Sequence, residues 1–167
     1  MKTEELLETA WYRSPIGWLE IKGSDKGIRS VVYLEDQPEQ ETIPFCLADC
    51  LDQLKQYFNG ERTAFSLKLD PAGTAFQLRV WELLLTIPYG CSITYLQLAL
   101  LSGDAKAVRA VGHANGQNRL NIIIPCHRVI GANGKLTGYG GGLWRKAWLL
   151  KHETLGRLPG LFSENSL

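Results

Sequence analysis

Residues 121–131 read NIIIPCHRVIG, and no other stretch constrains the fold as tightly. Three consecutive β-branched aliphatic residues belong in a buried, extended segment. Pro125 carries no N–H and ends ladder pairing. The pattern predicts a short buried strand that presents Cys126, His127 and Arg128 at its end. A cysteine acts as a nucleophile through its thiolate, and a free thiol has a pKa of about 8.5. An imidazole can take that proton directly or through a water, and it works best when a carboxylate orients it. Neighbouring side chains on an extended segment point apart, so a turn or a water has to connect Cys126 with His127. Glu153, near the end of the last predicted helix, is the candidate carboxylate. The plainer alternative is a buried thiol beside a hydrogen-bonded histidine.

The rest of the chain divides at DPAG, residues 70–73. Before it, residues 18–21 and 28–34 read as the arms of a β-hairpin joined by GSDKG. Leu47, Leu51, Leu54 and Phe58 recur at helical spacing, and Gly60 suits the position after a helix end. Phe65, Leu67 and Leu69 alternate as in a strand. After it, Thr74 can cap a helix with Phe76, Val80, Leu83, Leu84 and Ile87 on one face. Thr94 can cap YLQLALLSG and Asp104 can cap AKAVRAVGHANG. Two short helices joined at Ser102-Gly103, with Ala99 and Gly103 for close packing, suggest a helix-turn-helix. Its second helix is thin, with Ala107, Ala110, Gly112 and Ala114, and carries one long cation, Arg109. In the last helix Leu143, Ala147 and Leu150 form the expected apolar face. The boundary predicts an α/β domain over 1–72 and a mainly helical domain over 73–167.

Composition excludes several classes. The net charge of +1 leaves no global basic excess, so a nucleic-acid partner has to meet a local patch. No apolar run is long enough for a transmembrane helix, and the acidic start lacks the apolar core of a signal peptide. A cytoplasmic, reducing location is the expectation. Cys46 and Cys50 have neither zinc-ligand spacing nor a nearby histidine, and Cys91 reads as structural, so no metal site is expected.

IPCHRVIG resembles the active-site motif of the O6-alkylguanine-DNA alkyltransferases, also called methylated-DNA–protein-cysteine methyltransferases. TIPYG…TYLQLA, AVRAVGHANGQN and VIGANGKLTGYGGGLWRKAWLLKHE are similar to the family's flanking motifs, with spacings intact over about residues 74–153. The N-terminal part matches in pattern only, most clearly at SPIGWLEI. The resemblance implies a ribonuclease H-like N-terminal domain and a winged helix-turn-helix-like C-terminal domain carrying the cysteine. It implies that Cys126 accepts an alkyl group, irreversibly and once, from O6-alkylguanine, or from O4-alkylthymine, in duplex DNA. His127 would be the base, acting through a water, and Glu153 would hold it. Asn118 would tie the helix-turn-helix to the active-site segment, and Tyr95 would protonate the leaving base. Asn115, Val129, Tyr139, Gly140 and Gly141 would form the pocket. Arg109, Ala107, Ala110, Gly112, Gln77 and Arg128 would meet DNA, with Arg109 filling the gap left by an extruded base in the minor groove and Arg128 also binding locally and helping to hold the domains together. Alkylated double-stranded DNA would be the partner, met by a monomer or by chains binding cooperatively, with no cofactor and no membrane. Two departures stand out: Arg119 follows Asn118 where the family has proline, and His113 stands where a small residue is common. Three rivals are a hydrolase using Cys126, His127 and Glu153, an alkylguanine sensor without transfer, and a transcription factor. The sensor replaces the cysteine, and the factor needs base-reading side chains that this alanine-rich helix lacks.

Overall fold

A computed structural model describes residues 5–39 and 42–157. Its contacts divide the chain into two units, one of residues up to 72 together with Arg119–Ile123, the other of Gly73–Asn118 and the chain from Ile124 onward. Residues 158–167 of the expected second domain lie outside the described residues.

The first unit is a three-stranded antiparallel sheet backed by one helix. Strands β1 (Glu8–Ser14), β2 (Gly17–Ser24) and β3 (Gly27–Leu34) pair in sequence order, with Ala10 opposite Ile21 and Ile21 opposite Val31. Leu19, Ile21 and Val31 are fully buried, and helix α1 (Phe45–Phe58) supplies Leu47, Cys50, Leu54 and Tyr57 to the same core. Helix α1 ends as Gly60 foretold. The Gly60 N–H donates to Tyr57 O and the Glu61 N–H to Gln56 O, which satisfies two terminal carbonyls. The first strand of this sheet has no counterpart in the sequence reading. Residues 65–69 keep the alternation of burial but form no ladder. Their one bridge pairs Leu69 with Ile28, and Arg29 fastens the next residue, Asp70, through an ion pair of 2.5 Å.

Arg119–Ile123 joins this unit, which the simple boundary at residue 73 does not include. The Val31 N–H donates to Arg119 O (2.8 Å), and the Asn121 N–H and side-chain amide both donate to Val31 O (3.1 and 3.0 Å). The expected strand over 121–124 is absent. Ile122 adopts φ +73°, and the Ile123 N–H closes a three-residue turn onto Asn121 O at 2.8 Å. Pro125 (φ −82°, ψ 62°) makes a second such turn, closed by the Cys126 N–H on Ile124 O at 2.8 Å. The isoleucines are buried as expected, but the chain reverses twice instead of running straight. Side-chain pattern reports burial and cannot report the sign of φ.

The second unit is mainly helical. Helices α2 (Ala75–Leu84) and α3 (Tyr95–Ser102) start on Thr74 and Thr94, each closing a capping box with a glutamine three residues on, Gln77 and Gln97. Val80, Trp81, Leu84 and Ile87 are buried, whereas Phe76 is exposed and so leaves the expected apolar face. Helix α3 ends at Gly103, whose φ of +97° is the left-handed turn into helix α4 (Val108–Gly116). Asp104 does not cap α4. It accepts the Lys106 N–H and shapes the turn before the helix, whose own cap position is Ala107. A two-residue parallel pair, β4 (Ile93–Thr94) with β5 (Val129–Ile130), follows the 3-10 turn Cys126–Arg128. Helix α5 (Leu143–Arg157) closes the unit. Its buried face is Arg145, Lys146, Leu149 and Glu153, while Leu143 and Ala147 are exposed. The apolar periodicity therefore pointed to the wrong face, because the inward side of this helix carries charge.

Thr74→Ala removes one terminal hydrogen bond and is expected to cost about 1 kcal/mol, seen as a Tm lower by roughly 2–4 °C. Unchanged thermal unfolding would remove the capping box from the account.

Candidate active site

The 3-10 turn Cys126–Arg128 places three polar side chains inside the second unit. Cys126 is 4%, His127 0% and Arg128 7% exposed. Glu153 of α5, itself 0% exposed, meets two of them. Its Oε1 lies 2.7 Å from His127 Nε2. Arg128 Nε donates to Oε2 (2.8 Å) and Nη2 to Oε1 (3.0 Å), a two-pronged guanidinium–carboxylate contact. Arg128 Nη1 donates to Ile87 O at 2.6 Å, and the Gly90 N–H reaches Glu153 Oε2 at 3.4 Å. The turn after α2 thus supplies two backbone groups that no side-chain motif announces.

These contacts set the protonation states. Burial works to raise the Glu153 carboxyl, but the hydrogen bonds from His127 and Arg128 and the Arg128 charge outweigh it and hold the group well below the usual carboxylate range. Burial pushes the His127 imidazole down, against the upward pull of Glu153 and with help from the nearby cations Arg128 and Lys146. His127 is therefore neutral at neutral pH. A carboxylate can only accept, so the single imidazole proton is assigned to Nε2, and Nδ1 presents a lone pair. That Nδ1 is buried and has no protein partner. Burial pushes the Cys126 thiol up, while the Asn118 side chain and the Lys146 ammonium favour its thiolate.

The asparagines at the end of α4 brace the turn. Asn118 Nδ2 donates to Ile124 O at 2.9 Å, and Asn115 Nδ2 lies 3.4 Å from Cys126 O. The Oδ1 of Asn115 is buried without a protein partner. Tyr95, the first residue of α3, donates its hydroxyl to Thr137 O (3.2 Å). Val129 is fully buried in β5. In the glycine-rich loop the Tyr139 carbonyl accepts the Gly142 N–H (2.9 Å), Gly140 is exposed and Gly141 O accepts from Arg145 (3.0 Å). Cys126, His127, Glu153, Asn118 and Asn115 are thus joined around one turn.

The residues expected to meet DNA divide differently. Arg109, Ala110 and His113 are exposed on α4, and Ala107 is half-buried at its start. Gly112 faces inward, where a methyl group would lie 3.5 Å from the Tyr95 ring. Gln77 accepts the Thr74 N–H and serves the start of α2. Arg128 binds locally, as expected, but its buried guanidinium is taken up by Glu153 and Ile87 O, which corrects the expected DNA contact because no surface charge is left for a phosphate. Lys146 was missed. It is fully buried and donates from Nζ to Thr137 O at 2.9 Å. The available signal was positional, since a cation in the first turns of a helix opposes the macrodipole. Among the described residues no group of histidine, cysteine or acidic side chains could hold a metal ion, and no helix is long and apolar enough to cross a membrane.

The depressed values of Glu153 and His127 carry a stability consequence. His127 stays neutral in the folded state while the unfolded chain takes up its proton below about pH 6.5, so stability falls with acid from there. The Glu153 contribution is full above the unfolded carboxyl value of about 4.3 and is lost as pH falls further towards its depressed folded value. Urea unfolding is expected to show a loss of about 1 kcal/mol between about pH 6.5 and 5.5, absent in His127→Asn. A pH-independent wild type over that range would contradict a buried neutral histidine.

The matches to known proteins agree with this geometry over most of the chain. Residues 75–155 match the 6-O-methylguanine DNA methyltransferase, DNA binding domain, and residues 8–71 its ribonuclease-like domain. Methylated-DNA–protein-cysteine methyltransferases of Mycobacterium tuberculosis and Methanosarcina barkeri are 49% identical over 145 residues and 46% over 150, spanning 84% of this chain and 88% and 92% of theirs. The crystal structure of the M. tuberculosis O6-methylguanine methyltransferase superposes with a TM-score of 0.83 at 46% identity, covering 93% of this chain and 96% of that one. The M. tuberculosis OGT in complex with DNA gives 0.80 at 47% identity, covering 87% and 92%. The chain belongs to the 6-O-methylguanine DNA methyltransferase family.

Proposed function

We propose that the chain repairs alkylated DNA as a methylated-DNA–protein-cysteine methyltransferase in which Cys126 is the acceptor. The observation that carries this is the buried His127, whose Nε2 lies 2.7 Å from Glu153 Oε1 and whose Nδ1 has no protein partner. The Nδ1 lone pair is the base, acting on the thiol through a bridging water. The imidazolium formed is stabilised by the adjacent carboxylate.

The thiolate then attacks the alkyl carbon on O6 of guanine. The sulfur–carbon bond forms, the carbon–O6 bond breaks, and the electron pair stays on the base. Tyr95 protonates that leaving group, for which its hydroxyl must first leave Thr137 O. After exchange with solvent the sum is thiol plus alkylguanine giving thioether plus guanine. A thioether has no readily hydrolysed bond, so each chain acts once. O4-alkylthymine offers the same alkyl ether and is the second substrate.

The reacting carbon of a paired base lies inside the duplex, so the nucleotide has to be turned out of the stack at a cost of a few kcal/mol. The exposed face of α4 suits this, with Arg109 long enough to fill the vacated step beside the small Ala110. Asn115, Val129, Tyr139, Gly140 and Gly141 line the pocket that receives the base.

Cys126→Ala is expected to abolish methyl transfer from duplex DNA while retaining DNA binding, measured by labelled-methyl transfer and gel shift. Stoichiometric transfer in that variant would sink the assignment. Arg109→Ala is expected to slow repair of duplex DNA at least about tenfold more than reaction with free alkylguanine, since an arginine that offsets ~1.4 kcal/mol of the flipping cost is worth that factor. Equal losses on both substrates would exclude a flipping role.

A further inference from the structure

Among the described residues three buried side-chain atoms have no protein partner: Arg29 Nε, His127 Nδ1 and Asn115 Oδ1. Arg29 lies in the first unit, where Glu5 and Asp70 hold the rest of its guanidinium. His127 Nδ1 is the base of the proposed reaction. Asn115 Oδ1 has no task in that reaction. An amide oxygen taken out of water without a hydrogen bond is costly, and such a group in a folded protein calls for a reason. A leucine would fill similar space without the cost.

The surroundings fix how this amide is turned. Asn115 is 3% exposed, and its Nδ2 lies 3.4 Å from Cys126 O. The opposite orientation would set two carbonyl oxygens against each other. The nitrogen end therefore faces the backbone of the acceptor cysteine, and the oxygen is the end left over. Gly112, three residues earlier on α4, faces the Tyr95 ring, where a methyl group would lie 3.5 Å from it. Residues three apart share one helix face. This face of α4 runs from Tyr95, the proposed proton donor to the leaving base, to Cys126, the proposed alkyl acceptor. A hydrogen-bond acceptor on it lies among the groups that handle the base.

The chemistry of the two alkylated bases decides which can meet it. Alkylation at O6 removes the N1 proton of guanine, so the exocyclic 2-amino group is the only N–H donor left on the base. Alkylation at O4 removes the N3 proton of thymine and leaves no N–H donor at all. A neutral acceptor is satisfied by the first base and stays unpaired with the second. We propose that Asn115 Oδ1 accepts a hydrogen bond from the 2-amino group of the flipped alkylguanine, which makes Asn115 the residue that ranks alkylguanine above alkylthymine. The assignment rests on the reading of Cys126 as acceptor and names what selects its substrate.

The test removes the donor and the acceptor in turn, using the full chain. Duplexes carry O6-methylguanine, O6-methylhypoxanthine, which lacks only the 2-amino group, or O4-methylthymine. Single-turnover methyl transfer is measured for the wild type and for Asn115→Leu. The wild type is expected to react about tenfold more slowly with O6-methylhypoxanthine than with O6-methylguanine, the factor for one hydrogen bond to a buried acceptor left unmade. In Asn115→Leu that difference is expected to vanish, with O6-methylguanine slowed about tenfold and the other two bases nearly unaffected. Equal wild-type rates on the two purines overturn the proposal, and so does a difference that survives in the variant. A merely structural role would slow all three bases alike. Iodoacetamide alkylation of Cys126, which involves no base, is expected to be unchanged in the variant; a slower reaction would assign Oδ1 to the thiol and overturn the proposal. Should Asn115→Leu not fold, Asn115→Ala takes its place, and the wild-type comparison needs neither. Should the chain transfer no methyl, the acceptor reading fails by itself. Equilibrium binding of the same duplexes then decides, with about tenfold tighter binding of O6-methylguanine than of O6-methylhypoxanthine expected in the wild type alone, and equal binding overturning the proposal.

Discussion

The Glu153 carboxylate is the interaction on which the rest of the second unit's chemistry depends. It accepts from His127, from both prongs of Arg128 and from the Gly90 backbone, all inside the protein. Removing an ion of this kind from water costs several kcal/mol, which attraction and hydrogen bonds repay only when the geometry is good. Here one carboxylate does three things. It fixes which imidazole nitrogen carries the proton, and it balances Arg128. Through Arg128 and Gly90 it also joins the 3-10 turn to the turn after α2. A carboxylate that served only His127 would orient the base but leave the neighbouring guanidinium as a buried, uncompensated charge.

The approach to Cys126 is the second constraint. Two three-residue turns, centred on Ile122 and Pro125, flank Ile124. A β-branched residue at positive φ costs on the order of 1–3 kcal/mol and persists only where its surroundings enforce it. The surroundings are on hand: Asn121 is tied to Val31 O on one side, and Asn118 is tied to Ile124 O on the other. The strain is the cost of turning a buried aliphatic run fast enough to point a thiol, an imidazole and a guanidinium into one site. Arg119, whose carbonyl accepts from Val31, needs no side-chain role for this path, and its side chain is exposed.

Much of the architecture was legible in residue pattern. Thr74 and Thr94 announced two helix starts because capping is local chemistry between residues three apart. Gly60 and Gly103 announced helix ends because few other residues accept a left-handed backbone. Cys126, His127 and Glu153 were legible as a motif of reactive types, and the fold brings His127 and Glu153 together at 2.7 Å. What was not legible has a common cause. The three isoleucines said "buried" and were, but burial does not fix backbone direction. The buried face of α5 is charged, so the apolar stripe through Leu143 and Ala147 faces out. The resemblance implies both a DNA contact and local binding for Arg128, and only its buried partners, Glu153 and Ile87 O, select the local role. The first strand, ETAWYRS, alternates too weakly to announce itself and is defined by its partner β2.

The central claim is that one cysteine is used once. Incubating the chain with excess methylated duplex DNA and following intact and peptide masses tests it most directly. The account predicts one added methyl per chain, on the peptide holding Cys126, and as much guanine restored as protein present. Restoration that continues beyond the amount of protein, or a methyl on any other residue, would contradict it.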